Sequence, residues 1–460
     1  LKPAAASRPT TLALLVLACV VVSLASSLGA ALGCRPARGE PDDLDGSLGE
    51  PERVAVAPRP VPVASDTQDC LALVGSDGWV YSWVGNETWG DLTGPLARRL
   101  YRPEPGWEVS DLTLSPHHEH PYLGVVEART DGSGRDTRVT VVDLSTGEAA
   151  RLLPAGDYTP TVTGLQWSSD GTRLLALGRH PLVLDLSSGP REARVSWDLR
   201  ALSAADSEAR RPLAAPDFSV VAFTRFYLSA DQEEDLWVLE AGRDDPRRVT
   251  AGGLGAYPQV WLGAHPDGSD PDGPFDWLLV RLGAIGTGGG SPGALAAVDI
   301  RTGEVRPWSD DDAVAQHLAL LDLGEGRALL GQHQAMTGAD ARVLWRCLRE
   351  GTAIEVDELA GRLLGWALEA GTDGPRIVAL ASEPESGARE LWLLGPDGEA
   401  ERLGTFPAQT QVLPVGTLRG HAYAATVTAE ADGRERTALL QVDTTTKEVR
   451  EVTLWTAAGR

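Results

Sequence analysis

Lysine is almost missing from this chain. Of its 41 basic residues only Lys2 and Lys447 are lysines, and Asn86 is its single asparagine. Against them stand 65 acidic residues, which leave a formal net charge of −24. That charge repels phosphate backbones, and no Lys/Arg stripe interleaved with aromatics offsets it, so nucleic acid is excluded as a partner. Cysteine is scarce as well. Of the four present, Cys19 and Cys34 lie in or beside a hydrophobic segment, and only Cys70 and Cys347 remain for the body of the chain. No CxxC pair or Cys/His metal spacing occurs. A disulfide scaffold and a structural zinc site are thereby excluded, and two separate buried thiols are expected.

Charge is absent altogether from residues 11–33, whose centre reads LALLVLACVVV behind a flank carrying Lys2 and Arg8. A positive flank followed by an apolar run predicts export of the chain with its N-terminus inside. The run is also just long enough to cross a bilayer as a helix. It ends in SLGAALGC, where two cleavage chemistries are open. Ala31 and Gly33 present small residues at alternate positions, as a leader peptidase requires. The same stretch resembles a bacterial lipobox with Cys34 as the lipidated residue, although Leu32 stands one position closer to the cysteine than that pattern puts it. Lipidation at Cys34, an uncleaved helical anchor and plain secretion all remain open. Residues 1–34 therefore read as signal peptide or membrane anchor. Residues 35–67, rich in Pro and charge without helical or strand periodicity, read as a tether.

A chain of 460 residues exceeds one ordinary core, so it must be several domains or one repeat architecture that grows by adding units. With 51 Gly, 31 Pro and 42% hydrophobic residues, the composition suits packed strands and turns. A recurring unit decides between the two. A strand ends in a short acidic-and-glycine turn and a second strand carrying Arg or Glu follows, as in VTVVDLSTGEAARLL ending at Leu153 and LAAVDIRTGEVRPW ending at Trp308. ALLQVDTTTKEVREV, ending at Val452, is another copy. Turn positions such as Asp143, Asp185, Glu240, Asp299 and Asp443 recur at roughly 40 to 60 residues once a copy near Glu350 and one at Gly395 are counted, the period of propeller blades. A further strand–turn–strand unit precedes several copies, such as LQWSSDGTRLLAL from Leu165, which makes four strands per repeat.

The pattern W-S-x-D-G-x-x-L-A followed by V-x-D-x-x-x-G-E, best seen at residues 167–177 and 141–148, resembles the repeats of the Tol-system periplasmic protein and related WD-like families of bacteria. The resemblance implies an all-β fold, a single β-propeller of seven or eight four-stranded blades over residues 68–456. A seven-bladed ring would leave residues 70–93 as an accessory hairpin. Trp167, Trp237, Trp277, Trp345, Trp366 and Trp392 recur inside strands and are expected to pack between blades.

Candidate chemistry fails its context tests. Ser291 sits in a GxSxG string overlapping a GxGxxG string at residues 288–293, but strand-like ALAAVDI follows where a helix N-terminus is required. His117, His118, Glu119 and His120 form the densest group of metal-ligand types, in a turn, with no other histidine nearby in sequence. The acidic clusters at residues 231–235, 269–276 and 309–312 lack the DxDxDG spacing of a calcium loop. No catalytic, metal or cofactor-binding residue is therefore expected, and the repeats run to Trp455 without an accompanying catalytic domain. The expected function is a membrane-tethered, extracytoplasmic propeller of the bacterial cell envelope that binds a protein partner. The alternatives are a glycan or small-ligand sensor and an extracytoplasmic propeller enzyme.

Overall fold

A computed structural model describes residues 52–54, 63–65, 70–84, 96–131, 134–153, 162–178, 181–202, 207–227, 234–251, 255–266, 274–282, 295–307, 313–322, 327–335, 342–347, 353–359, 362–369, 376–395, 399–418, 421–429, 435–452 and 454–456. Residues 49–460 form one compact unit. Seven sheets of four antiparallel strands follow one another along it: sheet 2 (108–153), sheet 3 (162–198), sheet 4 (207–248), sheet 5 (256–307), sheet 6 (313–355), sheet 7 (363–406) and sheet 8 (410–452). In each, the strands pair in sequence order, so every connection within a sheet is a hairpin.

Sheet 1 has six strands. Val63–Ser65, Cys70–Val74, Val80–Val84 and Leu96–Tyr101 pair in order, Leu454–Thr456 adds in parallel outside Leu96–Tyr101, and Glu52–Val54 adds antiparallel outside that. The hairpin at residues 70–84 lies in this six-stranded sheet, beside the seven four-stranded sheets. Two of its strands, Glu52–Val54 and Val63–Ser65, come from the segment read above as a tether. A short strand needs only backbone N–H and C=O groups facing a sheet edge, and neither the flanking prolines nor the lack of alternation forbids that.

Apolar contacts close the sheets into a ring. Cys70, Ala72 and Val80 of sheet 1 pack on Leu123, Val125 and Val142 of sheet 2, while Leu71, Leu73 and Tyr81 on the opposite face pack on Leu418, Tyr423 and Leu439 of sheet 8. Shared cores likewise join sheets 2 and 3, 3 and 4, 4 and 5, and 7 and 8. A lone four-stranded sheet exposes two apolar faces, and stacking each face on a neighbour around a closed ring buries both. The first strands of successive sheets touch one another, which places them nearest the axis and leaves the fourth strands at the rim. Trp167 is buried between sheets 2 and 3, Trp277 and Trp392 are buried, Trp237 is half-buried, and the side chains of Trp345, Trp366 and Cys347 lie outside the described residues.

The turn aspartates act as backbone caps. Asp143 Oδ1 accepts from the Ser145 and Thr146 N–H groups, and Asp299 and Asp443 repeat that arrangement with Arg301/Thr302 and Thr445/Thr446. Asp185 accepts from Ser187. Such turns also need one residue at positive φ. Gly147 and Gly303 supply it at φ +76 each, but in sheet 8 the equivalent residue is Lys447 at φ +63. Relief of left-handed strain of about 1–2 kcal/mol per non-glycine residue exceeds the exposed Lys447–Glu401 ion pair at about 0–1 kcal/mol. Lys447→Gly is accordingly expected to stabilise the fold by about 0.5–1 kcal/mol, read as a higher denaturation midpoint; a lower midpoint would show that the ion pair dominates.

Candidate functional site

The ring has two ends. At one lie the hairpins joining first to second and third to fourth strands; at the other lie the second-to-third hairpins and the links between sheets.

At the first end, a groove of about 370 Å³ opens between sheets 3 and 4, lined by residues that include Asp170, Arg173, Asp185, Trp197 and Phe218. Sequence W-S-S-D-G builds one wall: Asp170 Oδ1 accepts from the Ser168 and Thr172 hydroxyls and from the Thr172 N–H, and Gly171 takes the positive φ. Burial pushes the Asp170 carboxyl up, but these hydrogen bonds and the Arg173 charge outweigh it and hold the group below the ordinary carboxylate range. Arg173 donates to the Asp217 carbonyl and covers the Phe218 ring at 5.6 Å. The outer strand Arg194–Asp198 contributes half-buried Trp197.

At the second end, sheets 1 and 2 share a charged cluster. Arg138, with a side chain 2% exposed, makes a double hydrogen bond to fully buried Glu127 at 2.6 and 3.0 Å and a third to Glu104 at 2.9 Å. Thr140 and Tyr101 donate to the other Glu127 oxygen, and the Trp107 ring lies 4.1 Å from the Arg138 guanidinium carbon. The bonds between Tyr101 and Glu127 and between Arg138 and Glu104 join sheet 1, and the link that follows it, to sheet 2.

Sheets 4 and 5 differ. Strand Ser207–Ala214 bulges between Arg210 and Leu213, and Arg211 takes φ +50. Arg210 stacks at 3.4 Å from the Phe226 ring centroid and Arg211 at 5.2 Å from that of Tyr257. Arg281 is the cross-strand partner of Tyr257. The Tyr257 hydroxyl donates to buried Glu234. Burial and that carboxylate push the phenol up to about 12, so it stays protonated at neutral pH. Among the described residues, no carboxylate forms an ion pair with any of these three arginines. On the opposite face of the same strand ends, Ser207 Oγ, Arg225 Nε and Trp237 Nε1 are buried without a hydrogen-bond partner.

The histidine turn does not converge on a point. The rings of His117 and His118 stack at 5.0 Å, and His117 Nδ1 accepts from the Glu119 N–H. Among the described residues no group of three or more His, Cys, Asp or Glu is placed to hold a metal ion. Cys34, the hydrophobic run, Ser291 with its glycine loop, and the acidic cluster at 309–312 lie outside the described residues. The arginine cluster went unread in the sequence. Only the pair Arg210-Arg211 is adjacent there, and Arg281 lies on the next repeat.

The dipeptidyl peptidase 4 of Porphyromonas gingivalis matches 87% of this chain at a TM-score of 0.54 and 10% identity. The fold is a β-propeller. Prolyl oligopeptidase B of Galerina marginata matches 84% of the chain at a TM-score of 0.50 and 10% identity. TolB of Acinetobacter baumannii matches 59% at a TM-score of 0.36 and 15% identity. The propeller chain spans 60%, 55% and 59% of these three structures respectively. No protein-family model and no curated protein sequence matches it. The propeller fold alone does not choose between catalysis and binding.

Proposed function

We propose that this propeller is a non-catalytic binding platform of the bacterial cell envelope, held outside the cytoplasmic membrane by residues 1–34, with sheet 1 serving as an eighth blade. The groove between sheets 3 and 4 carries this reading. It is open and joins a half-buried Trp197 to a rim of ionised carboxylates and Arg173. An aromatic anchor pocket ringed by polar groups is how protein partners are gripped, and tryptophan and arginine dominate such contacts. The strand-end aspartates that an enzyme could recruit are occupied as caps by turn N–H groups.

The test places a photo-crosslinking residue at Ser196 in the full chain and captures its neighbour from native membranes. Binding of that partner, once purified, is expected to weaken about 30-fold in Trp197→Ala, corresponding to about 2 kcal/mol at a hot spot. Unchanged affinity would end the assignment of the groove. Tethering by lipid has its own check: Cys34→Ala should abolish lipid labelling, and a parent that carries no lipid leaves the helical anchor or secretion.

A further inference from the structure

We propose that Arg210, Arg211 and Arg281, gathered around Tyr257 at the inner strands of sheets 4 and 5, form a recognition site for the carboxylate or phosphate group of a small anionic ligand. The site is separate from the groove between sheets 3 and 4 and does not depend on the platform reading.

Three observations support it. The first is geometric. The Thr224 hydroxyl donates to the Ala256 carbonyl at 2.6 Å and pins sheet 4 against sheet 5, so that Arg210, the register partner of Thr224, stands next to Tyr257. The second is a matter of charge. In a chain of net charge −24, arginines ordinarily find carboxylates, as Arg138, Arg248 and Arg362 do. Here Arg211 lies over Tyr257, Arg281 is its cross-strand partner and Arg210 stacks on Phe226, while buried Glu234 is engaged by the Tyr257 hydroxyl. Burial and the neighbouring Arg211 charge both push the Arg281 guanidinium down from its ordinary value. Guanidinium groups held close together and, among the described residues, in no ion pair suit an incoming oxyanion, to which each presents a planar pair of N–H donors.

The third observation is conformational. Arg211 sits in left-handed backbone at a bulge, a strained geometry that collects at ligand sites. The bulge permits Arg210 and Arg211, adjacent in sequence, to lie over aromatic rings on two different sheets. The two rings hold the guanidinium planes in place without consuming their N–H groups.

The experiment uses the full chain at low ionic strength, with citrate and inorganic phosphate as probes and sodium chloride at matched ionic strength as control. One or both probes should raise the melting temperature saturably where chloride does not; citrate alone would identify a carboxylate ligand, phosphate alone a phosphate ligand. Calorimetric affinity for the effective probe should fall at least tenfold in Arg281→Gln. Without any probe, Arg281→Gln should melt at the parent temperature or above it, because a repulsive charge has been removed. A purely structural arginine would lower it. Saturation by neither probe, an equal effect of chloride, unchanged affinity in the variant, or a lower melting temperature of the unliganded variant would each overturn the proposal.

Discussion

Glu127→Ala is expected to lose about 3–5 kcal/mol of folding stability, the range for removing one partner of a buried ion pair. Glu127 is fully buried at the contact between sheets 1 and 2, and it accepts from Arg138, Thr140 and Tyr101 together. Its removal leaves a guanidinium that is 2% exposed with solvent-side Glu104 as its remaining carboxylate partner. Glu127→Gln keeps acceptor capacity for Thr140 and Tyr101 but not the charge, and falls between parent and alanine variant. Urea unfolding measures all three; a loss under about 1 kcal/mol in Glu127→Ala would place the cluster among ordinary surface pairs. Glu104, at the cluster's solvent side with 58% of its side chain exposed, contributes differently. Hydrogen bonds from Arg138 and Arg151 hold its carboxyl near a pKa of about 2 against an ordinary 4.5. A depressed acid stabilises the fold above its unfolded value and ceases to do so as pH falls through its folded value. Stability conferred by Glu104 should therefore decline between pH 4.5 and about 2, and Glu104→Gln should flatten the pH profile in that window.

Gly303→Ala is the second large effect, expected to cost about 2–4 kcal/mol from left-handed strain and overpacking together. Gly303 has φ +76, and a Cβ there would stand 2.5 Å from the Val249 carbonyl oxygen, a backbone atom of the neighbouring sheet. Gly147 has the same φ in the same turn of sheet 2, but its Cβ would meet only the Arg98 side chain, at 3.0 Å, which can move. Gly147→Ala therefore reports the strain alone, at about 1–2 kcal/mol, and the difference between the two variants isolates the clash. Equal losses would show that sheets 4 and 5 yield at this contact.

Local signals accounted for much of the fold. An aspartate that caps its own turn, a glycine four residues on and a strand on either side are consequences of short-range hydrogen bonding and sterics. Asp143, Asp185, Asp299 and Asp443 consequently sit where their spacing put them. Burial of Cys70 and of Trp167, Trp277 and Trp392 followed from strand periodicity in the same way.

Where the chain lacks local pattern, legibility stopped. Glu52–Val54 and Val63–Ser65 join sheet 1 through backbone pairing that no side-chain alternation announces. The six-stranded sheet exists because strands from both ends of the described chain meet there, and the turn spacing left open whether residues 70–84 belonged to the ring.

By itself, then, the sequence determined the repeat, its turns and which residues face a core, since those depend on neighbours a few positions away. Only the tertiary structure decided which faces meet: that Glu127 is buried against Arg138 and Tyr101, that Val249 crowds Gly303, and that Arg211 and Arg281, on different repeats, share one tyrosine. In a propeller every blade repeats nearly the same local code, so identity within the ring comes from contacts between blades. Those contacts are fixed by closure, which no single repeat encodes.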